Sequence, residues 1–166
     1  MKAKNNIPNS YFSLVRKRFF ANRVGILGLV FVFLLIFKAV FADFLSPYNP
    51  SGRDSDIVFY PPQGINFFDE DYNFSFRPVS YGFIEGFDPD TFEPTMEIDY
   101  SQKNYIYFFT RGWEYKFLGL NLDIHLFTTK DNSKIFLLGS DAYGRDMLSR
   151  VFKGSRVTLL FALIVV

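Results

Sequence analysis

The sequence predicts an α-helical integral membrane protein: a first transmembrane helix, an interfacial elbow helix and the start of a second transmembrane helix, with a loop-rich, partly β extracytoplasmic insert. Three observations predict it. Val24–Ala42 is a 19-residue apolar run with one charge, Lys38. A second apolar run, Val157–Val166, follows a short charged segment. Charge is also segregated: residues 1–42 carry +7 and no acid, residues 43–146 carry −9, and residues 147–166 carry +3. The 23 Phe among 166 residues agree with a chain that faces lipid or a long apolar seam.

Residues 1–23 form a basic leader with Lys2, Lys4, Arg16, Lys17, Arg18 and Arg23. Pro8, Asn9 and Ser10 read as a helix entry with Ser10 as N-cap, and Tyr11–Asn22 alternates apolar and basic residues at helical spacing. That pattern suits an amphipathic helix on an anionic membrane surface. Residues 24–42 as a helix rise about 28 Å, close to the roughly 30 Å hydrocarbon core. Lys38 sits near the far end, where it can snorkel to the interface. Cations before the span and acids after it place residues 1–23 in the cytoplasm and residues 43–156 outside the membrane. Val40-Phe41-Ala42 before Asp43 also reads as a signal-peptide cleavage site. The long leader, Lys38 and the length of the run favour a retained helix.

Residues 43–138 are acidic, aromatic and dense in turn signals such as Pro61-Pro62, Pro78, Gly86, Pro94, Gly112 and Gly119. Tyr105–Phe109 and Glu114–Phe117 read as a hairpin around Thr110–Trp113, and Asp123–Thr128 with Ile135–Leu138 as a second. In residues 139–156, Ser140 or Asp141 is expected to cap a helix opening at about Ala142. Met147, Leu148, Val151 and Phe152 would share one face. Asp141–Arg145 and Asp146–Arg150 would be i,i+4 pairs on the other, and Gly154 would permit a bend. The closing run, residues 157–166, covers only about 15 Å as a helix, which leads us to expect the N-terminal part of a longer multi-span protein.

Several classes are excluded or disfavoured. Without cysteine there is no disulfide framework, thiol nucleophile or cysteine zinc cluster. The cations lie beside an apolar run rather than on a folded face, so no nucleic-acid partner is expected. His125, the single histidine, has no metal-ligand spacing and reads as structural. Asp69-Glu70-Asp71-Tyr72-Asn73 begins like a calcium loop, but Phe74 stands where Gly is required and Ser80 where Glu is required. Asp88 and Asp90 fit a solvated turn. No catalytic residue, cofactor or metal is expected.

The string from Leu138 to Leu159 resembles the signature of peptide/nickel-type ATP-binding-cassette (ABC) importer permeases, and specifically the C-type subunit of oligopeptide and dipeptide systems. Gly139, Asp141, Gly144, Arg145, Asp146, Ser149, Arg150, Gly154 and Arg156 match the motif. Ser140 replaces a common Thr and Lys153 a common Tyr. Arg18-Phe19-Phe20-Ala21-Asn22-Arg23 before Val24-Gly25 is similar to the family's start, and Ala42-Asp43 with Leu45-Ser46-Pro47-Tyr48 to the exit of its first span. The resemblance implies alternating access between two permease subunits, with two cytoplasmic ATPase subunits and an extracytoplasmic solute-binding protein as partners, and membrane lipid as surroundings. The chain itself would not be an enzyme, and its motif residues would hold the elbow at the membrane surface. A single-span membrane-anchored extracytoplasmic binding or structural module is the competing reading. It leaves the string at residues 139–156 and the second apolar run unexplained.

Overall fold

The computed structural model describes residues 11–68, 74–130 and 133–165. Ser10, the calcium-like stretch at residues 69–73 and the turn at Asp131-Asn132 lie outside the described residues. The chain divides into two compact units, Met1–Phe37 and Lys38–Val166.

The first unit is helical. Helix α1 covers Tyr11–Ala21 and helix α2 begins at Arg23 and runs to Val40. Asn22 separates them because its side chain competes for the backbone: Oδ1 accepts from the amides of Val24 at 3.0 Å and Gly25 at 3.4 Å. Among the described residues, α2 is the helix with the length and apolarity to cross a membrane. It ends two residues before the Ala42 expected from the apolar run, and Lys38–Val40 belong to the second unit.

The second unit opens with a single helical turn, α3 (Ala42–Leu45), closed by Leu45 N–H to Phe41 O at 2.9 Å and Ser46 N–H to Ala42 O at 3.0 Å. A four-stranded antiparallel meander follows in the order β1 (Asn66–Phe68), β2 (Phe74–Phe87), β3 (Pro94–Phe117) and β4 (Leu120–Thr129). Both expected hairpins are therefore corrected. Tyr105–Phe109 and Glu114–Phe117 lie on one strand, β3, with Thr110–Trp113 inside it. Asp123–Thr128 pairs with β3 rather than with Ile135–Leu138, which has no strand conformation. Gly112 marks a bulge instead of a turn: the register slips between Arg111 and Tyr115, and two extra residues there bend the strand. A second slip between Tyr81 and Gly82 bends the β2–β3 pair.

β3 is long because it serves two partners, with residues up to Tyr105 pairing β2 and residues from Ile106 pairing β4. The β2–β3 turn is closed by Asp88, whose Oδ1 accepts from the amides of Asp90 at 2.8 Å and Thr91 at 3.1 Å. The β3–β4 turn is two residues, Leu118 and Gly119, both at positive φ (50° and 87°). This is the geometry that usually selects Asn-Gly. Val79, Tyr81, Ile106 and Tyr115 are buried on the sheet, with Ile135 and Phe136 packed below. Helix α4 (Met147–Val165) ends the second unit.

Candidate functional site

The motif of residues 139–156 folds back onto residues 39–60 as a clasp. Its first half is a rail. Ser140 donates from its amide to Tyr60 O at 2.9 Å and from its hydroxyl to Ile57 O at 2.6 Å, while the Tyr60 amide donates to Ser140 Oγ at 2.8 Å. The Phe59 amide reaches Asp141 O at 3.3 Å. The two segments approach so closely that two positions exclude a side chain. A Cβ on Gly139 (φ +74°) would lie 2.5 Å from Tyr60 O, and one on Gly144 (φ +67°) would lie 1.6 Å from Asp54 O. Both clashes are with backbone, so neither is relieved by a rotamer change.

Between those glycines Asp141 organises a closed turn. Its Oδ1 accepts from the amides of Tyr143 at 2.9 Å and Arg145 at 3.0 Å, and Oδ2 from Arg145 Nε at 2.8 Å and Nη2 at 2.7 Å. Arg150 Nη1 donates to the same oxygen. Burial opposes ionisation of Asp141, but the Arg145 guanidinium and the two amides outweigh it and hold the carboxyl well below the usual carboxylate range. The expected helix from about Ala142 is thus corrected: left-handed Gly144 interrupts it and α4 opens at Met147. The Asp141–Arg145 pair forms across a turn. Arg150 turns to Asp141, and Asp146 does other work.

Asp146 caps α4. Its Oδ2 accepts from the Ser149 amide at 2.8 Å and hydroxyl at 2.5 Å, and Oδ1 from the Leu148 amide at 3.3 Å. Burial pushes its carboxyl up, against the lowering effect of these Ser149 and Leu148 donors. Ser149 is fully buried, and its Oγ also receives the Tyr48 amide at 3.4 Å.

About two turns beyond Ser149 on α4, Arg156 closes the clasp. Nη1 pairs with Asp43 Oδ2 at 2.5 Å, Nε donates to Ala39 O at 2.8 Å and Nη2 to Val40 O at 3.1 Å. It therefore satisfies orphan carbonyls at the C-terminus of α2 and places a cation at the negative end of that helix. Lys153 Nζ stands 4.0 Å from Asp43 Oδ1. Gly154 is different from the other motif glycines: a Cβ there would meet nothing within 4 Å, and α4 runs through it without interruption.

His125 is buried beside this corner. Its ring nitrogens lie 3.0 Å from the carbonyl oxygen of Asp43 and 2.9 Å from that of Trp113, and the ring stacks on Trp113 at 5.3 Å. It ties α3 to β4. An open cleft of about 560 Å³ lies between residues 47–60 and strands β3 and β4, its walls including Tyr48, Asp54, Asn104, Arg111 and Lys134. Lys134 Nζ pairs with Asp54 Oδ2 at 2.5 Å, which lowers the Asp54 carboxyl. Among the described residues no group of His, Asp and Glu could hold a metal ion.

Of the nine motif residues, the fold joins Asp141 with Arg145 and Arg150, and Asp146 with Ser149. It sends Arg156 to Asp43 and places Gly139 and Gly144 against the rail. Sequence reasoning did not connect Asp43, Asp54, Tyr48 or Tyr60 with the motif, and it gave Ser140 a capping role where the fold uses it on the rail. The spacing Asp146-x-x-Ser149 is a capping signal that was available. The pairing of Arg156 with a residue 113 positions away had no local signal.

Residues 10–62 match the family described as the N-terminal transmembrane domain of oligopeptide transport permease C. The di/tripeptide transport system permease protein DppC of Pseudomonas aeruginosa is 28% identical over 171 residues, covering 98% of this chain and 35% of that protein. Over nearly its whole length the chain is similar to that peptide permease. The dipeptide transport system permease protein DppC of Escherichia coli K12 is 24% identical over 145 residues, covering 87% of this chain and 27% of that protein. The chain spans about a third of the length of these curated permeases. No solved structure matches it at the same stringency. The segment matching the permease family ends at residue 62, so it contains the whole rail to which the motif is bound.

Proposed function

We propose that the chain is part of a permease subunit of an ABC importer that moves peptides across the inner membrane by alternating access. Residues 1–23 lie in the cytoplasm, α2 crosses the bilayer, and residues 43–156 lie outside. Its partners are a second permease subunit, two cytoplasmic ATPase subunits that carry out all ATP hydrolysis, and an extracytoplasmic solute-binding protein. The observation that carries the reading is the Arg156 bond set. One guanidinium joins the end of α2 to α4 through Asp43, Ala39 and Val40. Alternating access needs helices that move as rigid bodies, and this joint makes the outer ends of two helices one body.

The topology is supported electrostatically. Arg150, Lys153 and Arg156 on the outer side run against the positive-inside trend. Each faces an acid in the fold, Asp141 or Asp43, which offsets part of their charge, and the longer basic leader sets orientation. Asp141, Arg145, Asp146 and Arg150 fix the angle at which α4 leaves the rail.

The test is uptake of labelled di- and tripeptides in a strain lacking other peptide importers. Deleting the gene that encodes this chain abolishes uptake and restoring it recovers uptake. The Arg156→Asp variant fails to restore it, and Arg156→Asp combined with Asp43→Arg recovers part. Unchanged uptake on deletion overturns the assignment.

A further inference from the structure

We propose that the tip of the β3–β4 hairpin, Lys116–Asn121, inserts into the interface of the same bilayer that α2 crosses and acts as a second lipid anchor. The direction of the hairpin carries the argument. Phe44 meets Phe109 at 6.2 Å, the Asp43 carbonyl meets His125 opposite Thr110, and Phe41 stacks on Phe117 at 5.6 Å. Moving back along the chain from Phe44 to Phe41, toward the last turn of α2, moves along the hairpin toward its turn. Phe41 immediately follows Val40, the last residue of α2, so Phe117 stands beside the end of that helix and Leu118–Leu120 follow it at the tip.

The tip residues fit the bilayer interface. Leu118 is 90% exposed and Leu120 66%. A two-residue turn at positive φ calls for Asn or Gly, yet Leu118 occupies it at φ 50°. A large apolar residue aimed outward at a hairpin tip is natural at an acyl-chain boundary. Exposed Lys116, one residue before Phe117, supplies a cation that can reach lipid phosphate while the apolar tip goes deeper. Backbone groups of the turn cannot be left unsatisfied in the hydrocarbon centre, so the anchor stops at interfacial depth. The opposite turn, Asp88–Glu93, also exposes an apolar residue at positive φ, Phe92 (φ 56°), but it surrounds that ring with three acids and lies at the other end of β3, which suits water.

The inference rests on α2 being a span, and the experiment separates the two. The chain has no cysteine, so single cysteines can be placed at will. Leu118→Cys, Thr91→Cys and Phe31→Cys are labelled with an environment-sensitive fluorophore in the full chain, reconstituted into phosphatidylcholine/phosphatidylglycerol vesicles. Trp113 emission reports that each variant is folded. The label at position 118 is expected to emit to the blue of that at position 91, to be quenched by nitroxides near the headgroup end of the acyl chain, and to lose quenching by aqueous iodide. Iodide quenching at 118 equal to that at 91, with position 31 in lipid, overturns the anchor alone. Shielding of 118 from both iodide and lipid nitroxides also overturns it, because protein then covers the tip. A label at position 31 open to iodide overturns the span itself.

Discussion

The clasp and the sheet are held together by different physics. In the clasp, nearly every bond is polar and directional, and two backbone approaches allow only glycine. In the sheet, β-branched and aromatic side chains cover one another, and many aromatics stay on the outside: Phe76 is 93% exposed against Phe74 at 5.1 Å. A directional network tolerates few residues at each position, whereas apolar packing accepts many of similar volume. The difference teaches where substitutions should be felt, and four of them probe it, with stability read by chemical unfolding in detergent micelles through Trp113 emission.

The largest effect is expected at Gly144. Gly144→Ala forces a Cβ against the Asp54 carbonyl in a left-handed conformation, and should cost about 4 kcal/mol. A loss under 1 kcal/mol would show that the rail can separate from the motif. Next, Arg156→Ala leaves the Asp43 carboxylate, with a side chain 8% exposed, without its main partner and should cost about 3 kcal/mol. Arg156→Gln with Asp43→Asn should recover part of that loss, since no buried charge is then stranded.

Asp141→Asn should cost about 2 kcal/mol at neutral pH through lost charge-assisted hydrogen bonds. The sign of its pH dependence follows from the lowered carboxyl. Its stabilisation is fully present above the unfolded carboxylate range near pH 4 and is lost as pH falls through the folded value. The gap between parent and variant should therefore stay constant from neutral pH down to about pH 4 and narrow only below it. Asp146 works in the opposite sense: its raised carboxyl holds a proton more tightly in the folded state, so its contribution grows as acid is added. The smallest effect belongs to the sheet: Phe76→Ser should change stability by under about 0.5 kcal/mol, because an exposed ring gives up little burial. A larger loss would mean that the aromatic face of β2 is covered.

The same contrast governs what could be read from the sequence. The span was legible as 19 apolar residues, and α2 differs from it only at its ends. The motif was legible as a set of residues, because a fixed string carries directional bonds, but its internal wiring was not. Helical spacing suggested Asp146–Arg150, whereas Gly144 in the left-handed region breaks the helix and frees Asp146 to cap it. Strand register was the least legible. Gly112 looks like a turn residue, yet it is a bulge in a 24-residue strand: a Cβ there would sit 2.7 Å from the His125 ring. Only the neighbouring strand, not local sequence, determines that outcome.

The bonds that join Gln63 to Phe136 have a consequence for how this chain can change. The Gln63 amide donates to Phe136 O at 2.9 Å, and the Phe136 amide returns to Gln63 Oε1 at 2.6 Å. The two ends of the whole lobe are therefore stapled side by side, and the Gln63 side-chain nitrogen donates on to Tyr81 O within it at 2.7 Å. The closure penalty of a loop rises only with the logarithm of its length, about 0.6 kcal/mol per doubling. The far turn at Asp88–Glu93 can thus be lengthened, shortened or exchanged, while Tyr81, His125, Thr129 and Lys134, which bond to residues 43–63, have to stay.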